Sequence, residues 1–356
     1  MSEKNIEPNF QNKPDIKIKG RSILLAFFLN FLSPGLGLFY SGKFVLGIII
    51  ALFWPVIVGL FFSFIISFPS LITLFIVCFI LNIIYVTLLI STIYYAHKNE
   101  NIYTVRRWNN PVFYIIFFIF FSIYAKPIAN VFVEAYRIPT GSMENTVLAG
   151  DFIIVGKTNY GIIIPFTNKK IINLKSPERN DVAVFMQELK EDKSPWIMRI
   201  IGLPGDSIVI VNKAVYINGK LELQNKEYRY DKVEREKGFI NPRIYPNGAP
   251  WNEDNYGPYY IPKKGDVINL ESENKEMWRK LIIKDAEKSD EEFPSKLLNE
   301  KKYVIKNNYY FMMGDNRNNS LDSRFIGPVA EDDIIGKASI IYFNKVDLSR
   351  IGTRIK

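Results

Sequence analysis

Three long apolar stretches in the first third of the chain constrain its fold more than any other feature. Residues 44–68, 71–95 and 111–133 are dominated by Phe, Ile and Leu, and about 20 apolar residues are enough to cross a bilayer. Residues 134–356 are instead mixed polar and apolar. The sequence therefore predicts an N-terminal α-helical membrane domain over 22–133 and an outer domain over 134–356.

A fourth apolar stretch, 22–40, is interrupted near its centre by Ser33-Pro34-Gly35 and by Gly37. Proline and glycine interrupt helices, and each remaining half is too short to span a bilayer. We therefore interpret 22–40 as a re-entrant or interfacial hairpin. The tail 1–21 and the loop 96–110 are both basic, which predicts a cytoplasmic location for each of them. The last span then delivers the outer domain to the opposite side of the membrane.

Composition excludes several kinds of site. The formal net charge is +9, which suits anionic lipid or nucleic acid. We favour lipid, because the polar half has no basic stripe interleaved with aromatic residues. The single histidine, His97, and the single cysteine, Cys78, rule out a His-based zinc site and an intrachain disulfide. Because His97 flanks the membrane part, a serine nucleophile in the outer domain needs another kind of base.

After residue 135 the pattern changes to short runs of alternating, β-branched residues separated by turns. Such runs predict strands. The predicted strands are 151–157, 181–186, 207–211, 214–219, 308–315 and 337–343. Residues 223–306 have the weakest pattern, with clusters of Pro, Asn, Tyr and Lys, and we interpret them as a loop-rich insertion. The outer domain is therefore predicted to be mostly β.

Four segments of the polar half stand out: Tyr136–Met143, Gly150–Val155, Met198–Asp206 and Gly314–Arg324. A serine in a Pro/Gly turn is by itself usually a turn residue. Taken together, in this order and after a membrane span, the four segments resemble the type I signal peptidase family. The match covers about 136–343, and its last segment is very specific. The segment Leu348–Gly352 adds a weaker resemblance, and the hairpin-like Leu32–Tyr40 resembles the N-terminal membrane part of multi-span members.

The resemblance implies a membrane-bound serine endopeptidase that removes signal peptides from exported preproteins. It implies that Ser142 attacks the scissile carbonyl and forms an acyl-enzyme. The oxyanion would be held by the backbone N–H of Ser142 and by the hydroxyl of Thr140. In the family the base is a lysine with a pKa lowered by burial, and the serine that matches Ser320 orients its amine.

The resemblance also implies supporting groups and a setting. The supporting ion pairs would be Arg199 with Asp315 and Asp322 with Arg324. The outer domain would be predominantly antiparallel and would lie on the periplasmic side of a bacterial inner membrane. Its partners would be membrane lipid and membrane-held preproteins with small residues, often Ala, at the first and third positions before the cut. No metal and no organic cofactor is implied.

One residue departs from the family in a place that matters. The family's lysine directly precedes the arginine of the R-x-x-G-L-P-G-D run, and this chain has Met198 there. Methionine resembles lysine in length but has no amine. Arg199 does not deprotonate in proteins, and along a strand it points to the opposite face. Lys190 and Lys193, in a charged loop segment, would reach the site only if that loop folds over it. A smaller departure is Asn145, where the family usually has proline.

Several functions remain open on the sequence. The first is an active signal peptidase with an unusual base. The second is a catalytically impaired homologue, or an enzyme whose residue 198 has been replaced, that binds signal peptides or partner proteins through the retained groove. A transporter is disfavoured because the spans 44–68 and 71–95 carry no Asp, Glu, Lys or Arg and the span 111–133 carries only Lys126, whereas intramembrane charges usually mark ion or proton paths. A self-cleaving repressor-type protease leaves the membrane spans unexplained.

Overall fold

The chain forms two structural units, Met1–Phe132 and Val133–Lys356. The computed structural model describes residues 19–67, 71–101, 103–105, 107–163, 170–172, 174–189, 192–222, 228–230, 234–270, 275–289 and 301–356.

The first unit is helical. Its helices are α1 (Ile23–Leu32), α2 (Leu36–Tyr40), α3 (Phe44–Ser67), α4 (Leu71–Lys98) and α5 (Pro111–Phe132). Of the helices in the described residues, α3, α4 and α5 are long and apolar enough to cross a membrane. Many of their large apolar side chains are exposed on the unit, as expected of side chains that face lipid. The prediction of three long apolar helices is confirmed.

The interruption at Ser33-Pro34-Gly35 separates α1 from α2, and buried Asn30 holds the break together. Gly35 takes a φ of +90°, a conformation that favours glycine. The side-chain oxygen of Asn30 accepts from the N–H groups of Gly35 and Gly37, at 3.2 Å each. Its side-chain nitrogen donates to Thr92 Oγ1 of α4 at 2.9 Å. Asn30, which is 1% exposed, therefore satisfies the backbone groups that the break exposes.

The second unit is built on strands. They are β1 (Val133–Arg137), β2 (Asp151–Gly156), β3 (Ile162–Ile163), β4 (Lys170–Ile172), β5 (Val182–Leu189), β6 (Asp192–Gly202), β7 (Ser207–Val211), β8 (Ala214–Ile217), β9 (Lys220–Leu221), β10 (Tyr256–Tyr260), β11 (Val267–Asn269), β12 (Lys302–Val304), β13 (Tyr309–Met313), β14 (Val329–Ala330) and β15 (Ile334–Asn344). A sheet of seven strands has the order β1-β2-β15-β5-β6-β13-β14, and its neighbours are antiparallel. The predicted fold class, a mostly antiparallel β domain after a helical part, is confirmed.

The predicted insertion 223–306 has more structure than its sequence pattern indicates. It contains β10, β11, β12 and the helix α6 (Lys275–Lys288). β10 joins a second sheet of order β10-β7-β8-β9. Tyr256, Tyr259 and Ile282 pack there in one buried cluster with Phe311 of the main sheet. The insertion therefore contributes to a core and is only partly loop.

Two apolar layers lie on opposite faces of the main sheet, because side chains alternate along a strand. Val182, Val184 and Ile197 belong to one cluster. Ala183, Phe185 and Met198 belong to another. This alternation sends the side chains at 198 and 199 to different faces, and thereby arranges the site described next.

Candidate active site

The turn between β1 and β2 carries Ser142 and is anchored by its buried neighbours. Met143 and Val147 are fully buried, in the same cluster as Ile138. The N–H of Val147 donates to the carbonyl of Met143 at 2.8 Å. Ser142 is half-buried and Thr140 is exposed, with 3.5 Å between their hydroxyl oxygens. The turn thus fixes its apolar side and presents two hydroxyls on the other.

Asn145 in this turn has a φ of +89°. Proline is locked near −65° and cannot adopt that conformation, whereas asparagine tolerates it. The departure from the family at this position therefore agrees with the local backbone.

Two buried ion pairs lie beside this turn. Arg199 donates to Asp315 from Nε at 2.8 Å and from Nη2 at 2.6 Å. Arg324 donates to Asp322 in the same two-pronged way, at 2.8 Å for each bond. All four side chains are at most 3% exposed. Such bidentate bonds are directional. The Arg199–Asp315 pair fixes the segment after β13 against β6, and the Asp322–Arg324 pair stabilises that segment internally.

Gly314 brings Ser142 and Ser320 together. A Cβ added at Gly314 would lie 2.2 Å from Ser320 Oγ and 2.6 Å from the carbonyl oxygen of Ser142. No side chain fits there, so both serines lie directly against the Gly314 backbone. Because Met313 pairs with Arg199 in the register of β13 and β6, Gly314 lies next to Met198.

Met198 occupies the position at which the family's lysine base is expected. Its side chain is 2% exposed and belongs to an apolar cluster with Ala183, Phe185 and Met312. Ser320 Oγ is buried and has no hydrogen-bond partner among the described residues. A buried hydroxyl without a partner is unfavourable, and an amine on residue 198 is the group that the resemblance predicts for it.

The lysines considered as a replacement base are held elsewhere or lie outside the described residues. The prediction of a loop at 188–193 is wrong for Glu188 and Lys193, which form part of β5 and β6 and pair with each other. The two side chains approach to 3.4 Å. Lys193 and Met198 lie on the same strand, β6, five residues apart. At the rise of a strand this separation is about 17 Å. Lys190 lies outside the described residues.

Lys337 is on the same sheet face as Met198 but is also engaged. It pairs with Ala183 in register, and Ala183 pairs with Met198. Lys337 is therefore about 10 Å to the side of Met198, at about 4.8 Å per strand, and away from Gly314. Its amine forms an ion pair with Asp181. It does not serve Ser142 in this arrangement.

Two other side chains of the site were not predicted from the sequence, although they lie inside or next to the motifs. Thr146 donates to Asp315 and accepts from Arg199 Nη2 at 3.3 Å. Asn316 donates through its side-chain nitrogen to the carbonyl of Gly141 at 3.1 Å. The sequence places Thr146 and Asn316 close to Ser142 and Asp315, but this proximity does not reveal which atoms their side chains contact.

The C-terminal echo of the family has a structural role in this turn. Arg350 donates to Asp151 from Nε at 3.0 Å and from Nη2 at 2.7 Å. It also donates to the carbonyl of Thr146 at 3.3 Å. Burial alone would raise the pKa of the Asp151 carboxyl, but the hydrogen bonds from Arg350, Asn344 and the Leu148 N–H outweigh burial and lower it. The end of the chain thus braces the turn that carries Ser142.

The sequence was compared with those of known proteins and protein families. The sequence profile described as "Signal peptidase, peptidase S26" matches residues 111–343. A signal peptidase I of Buchnera aphidicola subsp. Schizaphis graminum is 36% identical over 246 residues, which cover 66% of this chain and 72% of the relative. A signal peptidase I of Pseudomonas aeruginosa is 32% identical over 226 residues, covering 60% of this chain and 66% of the relative.

A solved signal peptidase I of Enterococcus faecalis V583 aligns with 46% of this chain and 98% of its own, at 19% identity and a TM-score of 0.24. The assignment therefore rests on sequence. The profile match spans more than half of the chain, and both relatives carry the name signal peptidase I. This chain belongs to the type I signal peptidase family.

Proposed function

We propose that the chain is a membrane-bound serine endopeptidase that removes signal peptides from exported preproteins, with Ser142 as its nucleophile. The observation that carries the proposal is the packing of Ser142 and Ser320 against Gly314, braced by the buried Arg199–Asp315 pair. A turn that merely linked two strands would have no need of this arrangement.

The chemistry follows from the hydroxyls of the turn. Ser142 Oγ attacks the scissile carbonyl, its proton is removed, and a tetrahedral oxyanion forms. The Ser142 N–H and the Thr140 hydroxyl stabilise that oxyanion. Collapse expels the amine of the mature protein, which takes up a proton, and leaves the signal peptide as an acyl ester on Ser142. Water then hydrolyses the ester and releases the signal peptide.

The proton of Ser142 has no amine acceptor at residue 198. Positioned proton transfer contributes about 10²–10⁴-fold to such reactions. We therefore propose that the chain works slowly unless Lys190 or another group supplies the base.

The substrate would bind as an added strand. β1 is an edge strand of the main sheet, and the chain continues from it through Thr140 to Ser142. An extended peptide can hydrogen-bond to such an edge, while side-chain pockets select alternate residues. Small residues at the first and third positions before the cut fit this mode, because alternate side chains face the same side.

For location, we propose a bacterial inner membrane, with Val133–Lys356 on the periplasmic side. α3, α4 and α5 supply the spans, and the basic tail and loop 96–110 supply the orientation. Protease added to spheroplasts is expected to digest the outer domain and leave the helical unit. Digestion only after lysis would contradict the orientation.

The function can be tested in cells in which the resident signal peptidase I is depleted. Pulse-labelled precursors of exported proteins should mature faster with this chain than with its Ser142→Ala variant, at equal membrane abundance. Equal maturation with both chains would refute the role of Ser142.

A second candidate is a disarmed homologue that binds signal peptides without cutting them. Ser320 Oγ, which has no hydrogen-bond partner within the described part of the chain, favours it, because the site keeps its packing while residue 198 provides no amine. Under this alternative, a fluorescent signal peptide binds the purified chain and stays intact, and only Met198→Lys cleaves it.

A further inference from the structure

A short segment of the insertion runs alongside the segment that follows β13. The N–H of Arg229 donates to the carbonyl of Asp315 at 2.9 Å, and the N–H of Arg317 donates to the carbonyl of Arg229 at 3.0 Å. These bonds form a parallel bridge between Arg229 and Asn316. We call Tyr228–Tyr230 the strap.

Alternation along the strap directs its side chains to two sides. Tyr228 lies under the guanidinium of Arg317, 3.7 Å from ring centroid to Cζ. The Tyr230 hydroxyl accepts from Arg317 Nη1 at 3.2 Å. Arg229 instead contacts Glu144 Oε2 at 3.0 Å. The two tyrosines thus attach the strap to a buried arginine, and Arg229 reaches the turn that carries Ser142.

Asn316 connects this contact to the nucleophile. Its side-chain nitrogen donates to Glu144 Oε2 at 3.0 Å and to the carbonyl of Gly141 at 3.1 Å. Its backbone N–H donates to the carbonyl of Ser142 at 3.0 Å. The residue is 2% exposed. Asn316 therefore holds the carbonyls on both sides of the Ser142 Cα.

The Gly141 carbonyl and the Ser142 N–H belong to one planar peptide unit. In a trans peptide they point in opposite directions, so a bond that fixes the carbonyl also fixes the direction of the N–H. That N–H is the backbone donor to the oxyanion in the function proposed above. Preorganised donors of this kind lose their effect when they are misdirected.

We propose that Asn316 and Arg229 are positioning residues of the oxyanion hole, and that the insertion thereby takes part in catalysis. Asn316 sets the Gly141–Ser142 peptide. Arg229 holds Glu144 Oε2 in place, so that the Asn316 amide keeps its orientation. The inference rests on the proposed function, because it assigns these residues to the oxyanion of that reaction.

The exposure of the Arg229–Glu144 ion pair distinguishes a positioning role from a role in the stability of the fold. The Arg229 and Glu144 side chains are 40% and 39% exposed, and exposed ion pairs add little to stability. Arg229→Ala should therefore change the geometry of the turn while the melting temperature stays nearly the same.

Amide hydrogen exchange followed by mass spectrometry tests the geometric step in the full chain in detergent. In Arg229→Ala and in Asn316→Asp, peptides covering 139–147 should exchange about fivefold faster, the change expected for one lost hydrogen bond of ordinary net strength. Asn316→Asp keeps the shape but removes the donating NH₂. The matched control is Arg235→Ala, which removes another arginine–glutamate pair of the insertion, with Glu253. Unchanged exchange of 139–147 in both Arg229→Ala and Asn316→Asp would overturn the proposal.

Kinetics test the consequence, in whichever of the parent and Met198→Lys cleaves a precursor. Arg229→Ala and Asn316→Asp should each lower kcat about tenfold to a hundredfold with KM unchanged. This loss is smaller than the 10²–10³-fold lost when a whole oxyanion donor is removed. Arg229→Lys, which keeps a cation beside Glu144, should retain most of kcat. A rise in KM alone would overturn the proposal. If neither parent nor Met198→Lys cleaves, the proposed function fails, and the exchange data still decide whether the strap holds the turn.

Discussion

Met198→Lys is expected to accelerate precursor cleavage by about 10²–10⁴-fold, because it adds a positioned general base. The new side chain would replace one that is 2% exposed and lies beside Gly314, against which Ser320 is packed. Among the residues that the structure describes, Ser320 Oγ has no hydrogen-bond partner, so its hydroxyl is available to orient an amine. The substitution preserves length and therefore needs little repacking.

The magnitude of the pKa change follows from burial. A fully buried lysine loses up to about 3–5 pKa units, so the amine would titrate near neutral pH, not near its usual value of about 10.4. At about 1.36 kcal/mol per unit, a shift of about three units lowers the free energy of unfolding by about 4 kcal/mol. That loss is complete below the folded-state pKa, where both states bind the proton. It diminishes as pH rises toward the unfolded-state pKa.

Two assays follow from these signs. kcat/KM of Met198→Lys, measured with a precursor bearing an Ala-X-Ala site, should rise with pH through the lowered pKa, because only the neutral amine accepts a proton. Its melting temperature, relative to the parent, should rise between about pH 7 and pH 10. Met198→Leu and Met198→Arg are the controls, since neither supplies a base. A folded Met198→Lys that cleaves no faster than Met198→Leu would refute the reasoning.

Three further predictions concern the same turn. In the Met198→Lys background, Thr140→Val should lower kcat about 10²–10³-fold with little change in KM, and a change confined to KM would contradict the oxyanion role. Asn145→Pro should destabilise the chain by about 1–3 kcal/mol despite matching the family, because φ at this position is +89°; an unchanged melting temperature would count against this account. Asp151→Asn should lower the melting temperature at pH 7. Because folding lowers the pKa of Asp151, the stability from its carboxylate is present above about pH 4 and is lost as pH falls through the folded-state pKa. The melting temperatures of the parent and of Asp151→Asn should therefore converge as pH falls. A difference that stays constant with pH would argue against the Arg350 contact as the source of the stability.

The parts of the fold that the sequence predicted well are those with local signals. Apolar length alone marks α3, α4 and α5, and alternation marks β7, whose bounds 207–211 agree with the prediction. The strand positions of Glu188 and Lys193 were not predicted, because these charged residues pair with each other across two strands instead of facing a core. Within 223–306, α6 and β10 depend on packing with distant residues such as Phe311, and no local period reveals such contacts.

At the candidate site, the motifs predicted which residues belong to the site, and the structure shows which atoms they contact. Ser142, Ser320 and Asp315 could be selected from the resemblance. The strap could not, because Tyr228–Tyr230 lies in the region of weakest pattern and acts through a parallel bridge to Asn316. The Ser320 hydroxyl, which has no partner in the described ranges, could not be predicted from the sequence either, since that property depends on the packing around Met198.

The central claim is that Ser142 is the nucleophile of a signal-peptide endopeptidase. The most direct test is the mass of the products that the purified full chain releases from a preprotein with an Ala-X-Ala site, during a long incubation beside Ser142→Ala. The account predicts one cut, directly after the second Ala, with the parent and faster with Met198→Lys, and none with Ser142→Ala. Intact precursor with both parent and Met198→Lys, in folded and precursor-binding protein, would contradict it, as would the same cut in Ser142→Ala.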